Sequence, residues 1–157
     1  MLAIDIPGFG VVRLRYLVLD LNGTLTNQGV LIRGVKEQLQ TLQKDLEISI
    51  TTANTFGEAQ KIAADLGVSL KILHANSSER EQKARYVEEL GPEKVVAIGN
   101  GNNDVEMLKK ARIGIVVIGP EGAANLAILN ATIVVHSIND ALQMLLNPQV
   151  LKATLRY

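Results

Sequence analysis

The 157 residues suit one domain, and the absence of cysteine excludes a disulfide framework and any thiolate metal site. Sixteen Lys and Arg balance sixteen Asp and Glu, so no global basic field draws the chain to nucleic acid or anionic lipid, and 3% aromatics argue against a base-stacking platform. No apolar run approaches the roughly 20 residues of a membrane span, and the opening MLAIDIPGFG lacks the basic segment of a signal peptide, so a soluble cytoplasmic domain is expected.

LAIDI and VVRLR flank the turn cluster PGFG and alternate in polarity, which predicts a β-hairpin over 1–15. YLVL is apolar throughout, as in a strand covered on both faces. Residues 34–46 place Val35, Leu39, Leu42 and Leu46 at helical spacing. EISIT reads as a strand, 55–67 as a helix closed by Gly67, and SLKIL as a strand. SSEREQKARYVEELG opens on N-capping serines and ends at Gly91. The strand KVVAIG and the helix NNDVEMLKKA follow. IGIVVIG is a strand, and PEGAANLAIL is a short helix with Pro120 near its first turn. ATIVV is a strand, SINDALQMLL a helix with Leu142, Leu145 and Leu146 as a core stripe, and 148–157 a terminal helix or tail. This alternation predicts a single α/β domain with a mostly parallel sheet: hairpin 1–15, core 16–147, tail 148–157.

Ligands of such sheets bind at the carboxyl ends of the strands. Three clusters stand there: Asp20, the pair Thr51 and Thr52, and the run Gly99 to Asp104 (GNGNND). A carboxylate at Asp20 can attack a phosphoryl group and form an aspartyl-phosphate. The NGTLT turn after it, with Asn22, Gly23 and Thr24, offers N–H groups to phosphoryl oxygens. The alternative for Asp20 is a turn-forming residue at a strand end. Thr52 offers a hydroxyl to the same oxygens. Lys83 reads either as one charge on a solvated helix face or as the cation that neutralises phosphate and nucleophile. Asp104 could hold Mg²⁺, which takes oxygen ligands. GNGNND is not a dinucleotide loop, because Asp104 replaces the third glycine. Glu79, Arg80 and Glu81 read as a solvated helix start, and His74 and His136 as strand-end or surface residues.

Together these motifs resemble the haloacid dehalogenase-like hydrolase superfamily, and more closely the phosphorylation domain of P-type cation-transporting ATPases. DLNGTLT is similar to D-K-T-G-T-L-T, and TTANTFGEAQKIAADLGV to T-G-D-N-x-x-T-A-x-x-I-A-x-x-L-G-I. EREQKARYVEEL is similar to P-x-x-K-x-x-x-V-x-x-L, and VVAIGNGNNDVEMLKKARIGIVV to V-x-M-x-G-D-G-x-N-D-x-x-A-L-x-x-A-x-x-G-I-A. The likeness runs from about Tyr16 to Val135. It implies a three-layer Rossmann-like core with a β-hairpin flap near Thr26 to Ile32. It implies Asp20 as phosphorylated nucleophile, with Thr52 and Lys83 on the phosphoryl group. The implied phosphate-binding set is Asn22, Gly23, Thr24, Thr52, Ala53 and Lys83. The implied Mg²⁺ set is Asp20, the Asn22 carbonyl, Asn100 and Asp104. No nucleotide-binding insertion and no sizeable cap fit between the motifs, so the chain reads as a soluble relative rather than a pump. An open site suits a phosphorylated small molecule or phosphoprotein, or a homo-oligomer whose neighbour closes it.

Two departures stand out. Phosphatases of the superfamily carry an acid/base Asp where this chain has Asn22, and an amide exchanges no proton near neutral pH, a loss of about 10²–10⁴-fold in general acid–base catalysis. Asn100 replaces a metal-binding Asp, which removes one negative charge from the metal site. The expectation is therefore a slow Mg²⁺-dependent phosphohydrolase, with a catalytically degenerate phosphate- or metal-binding or regulatory module as the alternative. A receiver-type signalling domain would need an acidic pair near the first strand and a late lysine, and here Asp5 stands alone and Lys83 precedes the fourth strand.

Overall fold

A computed structural model describes residues 1–53 and 57–157. Its sheet is built on β3 (Tyr16–Asp20), whose apolar run is buried on both faces: Leu17 and Leu19 join one hydrophobic cluster and Val18 the other. Chain continuity supplies the remaining strands, β6 (Glu47–Thr52), β7 (Ser69–Ile72), β8 (Val95–Gly99), β9 (Ile113–Val117) and β10 (Ile133–Val135). Their order is β10-β9-β8-β3-β6-β7, and every pairing is parallel. β3 lies between β6 and β8, so the chain leaves it first to one side and later to the other. That reversal is where open α/β sheets form a ligand crevice.

Helices cover both faces. α1 (Val35–Leu42), α2 (Glu58–Leu66) and α6 (Ile138–Leu146) pack on the Leu17/Leu19 face. α3 (Glu79–Leu90), α4 (Val105–Lys110) and α5 (Asn125–Asn130) bring Val87, Leu108 and Ala127 to the Val18 face. β1 (Leu2–Ile6) and β2 (Gly10–Leu14) form the antiparallel N-terminal hairpin. Its buried Ile6, Val12 and Leu14 belong to the first cluster. The segment read as a terminal helix or tail is α7 (Pro148–Leu155), which buries Leu151 in the same cluster, and the Tyr157 N–H donates to the Pro7 carbonyl at 3.1 Å. A short hairpin, β4 (Thr26–Asn27) with β5 (Val30–Leu31), stands where the flap is expected.

Some element boundaries differ from the sequence reading. The helix expected from Pro120 begins at Asn125, because Gly122, in what would be its first turn, adopts φ of +77°, a value an α-helix does not contain. Residues Asn102–Asp104 form a 3₁₀ turn ahead of α4. α1 ends at Leu42, with Leu46 reaching the core from the turn beyond. Thr55 and Phe56, the first residues of the predicted helix 55–67, and Asn54 before them, lie outside the described residues. Gly67 caps that helix in the left-handed conformation at φ +68°.

Candidate active site

Strand β3 ends on Asp20, and parallel register sets it beside Thr51 of β6. Asp20 is buried, with 6% of its surface exposed. Lys83 lies on the inward face of α3 and is fully buried. Its ammonium donates to Asp20 Oδ1 at 2.6 Å and to Asp104 Oδ1 at 2.7 Å. The solvated-face reading of Lys83 is thereby overturned. Tertiary packing buried this lysine because two carboxylates were there to receive it. Thr24 Oγ1 lies 3.1 Å from Asp20 Oδ2 and 3.3 Å from Asn100 Oδ1, its one proton facing both.

Both Asp104 oxygens are engaged. Its Oδ2 accepts the Asn100 and Gly101 N–H groups, each at 2.9 Å, while its Oδ1 holds Lys83. This folding-back requires Gly99, where an added Cβ would sit 2.5 Å from the Asp104 carboxyl carbon. Gly23 answers a similar demand. It holds φ +78°, and a Cβ there would lie 2.7 Å from both Asn100 Nδ2 and Glu121 Oε2. Asn100 is oriented by donating from Nδ2 to the Gly122 carbonyl at 3.2 Å.

Two carboxylates around one ammonium leave the cluster one negative charge in excess. Burial first, and then the charge of Asp104, raise the Asp20 carboxyl from 3.8 to about 6, against the opposing pull of Lys83. Burial acts to lower the Lys83 ammonium, but Asp20 and Asp104 together outweigh it and hold that group above its ordinary value. A site of excess negative charge, with carboxylate, carbonyl and amide oxygens only, fits a hard divalent cation such as Mg²⁺. Among the described residues no three His, Asp or Glu side chains converge as a metal-binding group. Such a cation would therefore rest on few side-chain ligands, with water completing its shell.

Above Asp20 and Lys83 opens a cleft of about 390 Å³, walled also by Asn22, Thr52 and Ala53. The site residues expected from the sequence thus divide. Asp20, Asn22, Thr52, Ala53 and Lys83 face the cleft, whereas Gly23, Thr24, Asn100 and Asp104 are absent from its wall. Thr24, Asn100 and Asp104 hold the cluster through the hydrogen bonds above. Asn22 is exposed.

Two further wall residues escaped the sequence reading: Glu79 and Asn103. Asn103 Nδ2 donates to Glu79 Oε2 at 3.0 Å. Glu79 is half-buried rather than a solvated residue at the helix start. Its signal was its spacing, four residues before Lys83 and so on the same helical face. Arg80 instead pairs with Glu106 at 2.7 Å, and His74 and His136 are exposed.

Comparison with known proteins bears on the fold. A family model described as haloacid dehalogenase-like hydrolase matches residues 82–141. An uncharacterized protein of Methanocaldococcus jannaschii is 54% identical over 83 residues, which are 50% of this chain and 89% of that protein. The 3-deoxy-D-manno-octulosonate 8-phosphate phosphatase of Moraxella catarrhalis, solved with magnesium, phosphate and its KDO molecule, superposes with a TM-score of 0.70 at 18% identity, covering 91% of this chain and 94% of that one. The cobalt-bound deoxy-D-mannose-octulosonate 8-phosphate phosphatase of Haemophilus influenzae gives 0.69 at 14% identity, covering 88% and 90%. Residues 82–141 thus match the haloacid dehalogenase-like hydrolase model, and the chain shares the fold of these phosphatases.

Proposed function

We propose that the protein is a slow, Mg²⁺-dependent phosphohydrolase acting through an aspartyl-phosphate on Asp20, a soluble counterpart of the P-type ATPase phosphorylation domain. The observation that carries this reading is the buried Asp20 carboxylate at a strand tip, ion-paired to a fully buried lysine beneath an open cleft. An Asp20 oxygen attacks the phosphorus, and the bond from phosphorus to the leaving oxygen breaks. The released alkoxide takes its proton from solvent. Water then attacks the same phosphorus and gives its proton to solvent, the Asp20 carboxylate leaves, and inorganic phosphate departs. Lys83 stays an ammonium, held by Asp20 and Asp104 before transfer and by Asp104 and the phosphoryl oxygens after it, and its charge offsets that of the phosphoryl group. Thr52 and the N–H groups of the turn after Asp20 bind phosphoryl oxygens. Asp20, the Asn22 carbonyl, Asn100 and Asp104 would hold Mg²⁺, which would supply Lewis-acid charge stabilisation. Asp104 also orients Lys83 and the Gly99–Gly101 loop.

Asn22 gives the leaving group no proton and takes none from water, so turnover is slow and favours good leaving groups. The substrate is a phosphorylated small molecule or phosphoprotein in the cytoplasm, and a second copy of the chain would close the capless site. No helix among the described residues is long and apolar enough to cross a membrane. A second reading has its own support. With Asn at both 22 and 100, the chain would bind phosphate or metal without turning over, as a regulatory module.

Para-nitrophenyl phosphate separates the two, since its leaving group needs little protonation. Mg²⁺-dependent hydrolysis that disappears in Asp20→Ala is the expected result. Equal rates in the native chain and the variant at millimolar Mg²⁺ would leave the binding module standing.

A further inference from the structure

We propose that Glu79, held by Asn103, selects the substrate: the cleft takes phosphomonoesters whose alcohol is neutral or cationic and turns away those carrying a second anionic group. This rests on the phosphohydrolase reading and adds a substrate class to it.

The charge inventory of the wall carries the inference. Among the described residues lining the cleft, Lys83 is the one cation, and Asp20 and Asp104 already neutralise it. Among the described residues no Arg or other Lys lines the cleft to receive a carboxylate or a second phosphate on the alcohol portion. Arg80, next to Glu79 in sequence, is turned away into its ion pair with Glu106. Glu79 is the carboxylate of the wall that the Lys83 cluster does not use. Oε2 takes the Asn103 amide at 3.0 Å, and no hydrogen bond from a described residue reaches Oε1.

Its position is fixed. Asn103 sits in the 3₁₀ turn that follows Gly101, and the Arg80–Glu106 pair ties the start of α3 to α4. The start of a helix favours a carboxylate, yet Glu81 occupies the same first turn and does not line the cleft, so the dipole alone does not account for Glu79 facing inward. An inward, part-desolvated carboxylate attracts ammonium and hydroxyl donors and repels anions. One such charge is worth about tenfold in affinity at cleft distances.

The test is competitive inhibition of para-nitrophenyl phosphate hydrolysis by two esters of similar size, O-phosphoethanolamine and phosphoglycolate, at fixed Mg²⁺. The native chain is expected to bind phosphoethanolamine about tenfold more tightly than phosphoglycolate. Glu79→Gln should remove most of that ratio, and Glu79→Lys should reverse it. Urea unfolding confirms that each variant folds, and Glu79→Ala replaces Glu79→Lys if the lysine variant does not. A native chain that hydrolyses the reporter but shows no preference overturns the inference and leaves the phosphohydrolase reading intact. So does a preference that survives in both variants. Folded Glu79 variants without any turnover also overturn it, since Glu79 would then serve every substrate alike. A native chain inactive on the reporter removes the parent reading, and the inference goes with it.

Discussion

The two ends of the molecule bury opposite kinds of surface. At the N-terminal hairpin and α7, the groups taken from water are hydrocarbon: Ile6, Val12, Leu14 and Leu151 are fully buried, and nearby charges such as Arg15 and Glu47 remain exposed. At the carboxyl end of β3, the groups taken from water are Lys83, Asp104, Thr24 and most of Asp20. Hydrocarbon burial stabilises by about 25 cal/mol per Å². Buried charge contributes little net stability even when paired, and costs several kcal/mol when a partner is lost. The comparison teaches that the fold is held by one region and placed under electrostatic load by the other, as expected where a site must meet a charged ligand.

The largest effect should come from unbalancing the loaded end. Lys83→Met leaves two buried carboxylates without their cation and should lower stability by about 3–5 kcal/mol, read as a fall in the urea midpoint. A loss below about 1 kcal/mol would mean that the cluster is already well hydrated. Leu151→Ala tests the hydrocarbon end. It should cost about 2–5 kcal/mol while leaving kcat on para-nitrophenyl phosphate unchanged, because α7 does not reach the cleft. Gly99→Ala should cost about 1–3 kcal/mol, since its methyl meets the Asp104 carboxyl. Loss of Mg²⁺-dependent activity should accompany it.

The fourth prediction reverses sign. The folded-state value of Asp20, about 6, lies above its ordinary value of 3.8. The folded protein therefore holds this proton more tightly than the unfolded chain. Its stabilising contribution is complete below about pH 3.8 and is lost as pH rises through about 6. Asp20→Asn removes the ionisation and should make the metal-free protein more stable by about 1–2 kcal/mol at pH 8, with the gain vanishing below pH 4. Denaturation midpoints across that range decide it, and a variant less stable at pH 8 would show that the Lys83 bond outweighs the repulsion. The smallest effect belongs to the surface. Asp65→Asn breaks the exposed pair with Lys36, 2.7 Å apart, and should shift stability by at most about 1 kcal/mol, less at high salt.

Much of this was legible in the chain. The unbroken apolar run of Tyr16–Leu19 announced a central strand, the Pro/Gly cluster announced the hairpin, and Asp20 and GNGNND stood at strand ends, where parallel sheets place their sites. Lys83 was legible only through its resemblance to a known motif. Its helix is rich in charge, and local pattern does not distinguish a lysine that meets water from one that meets two carboxylates. Glu79 was misread for the same reason. The start of α5 was misread because the left-handed backbone of Gly122 outweighed the usual place of proline in a first turn.

The sequence by itself determined which segments become strands and helices, and in what order, because hydrophobic period and glycine punctuation act over a few residues. It also placed a carboxylate at the tip of the central strand and an amide two residues later. Only the tertiary structure decided what Asp20 touches. Lys83 lies 63 positions away in the chain and meets it at 2.6 Å because the order β8-β3-β6 brings α3 over the end of β3. The exposure of Asn22, the hydrogen bonding of Asp104 and the inward turn of Glu79 follow from the same long-range packing. Burial and charge pairing depend on neighbours in space, which no local spacing specifies.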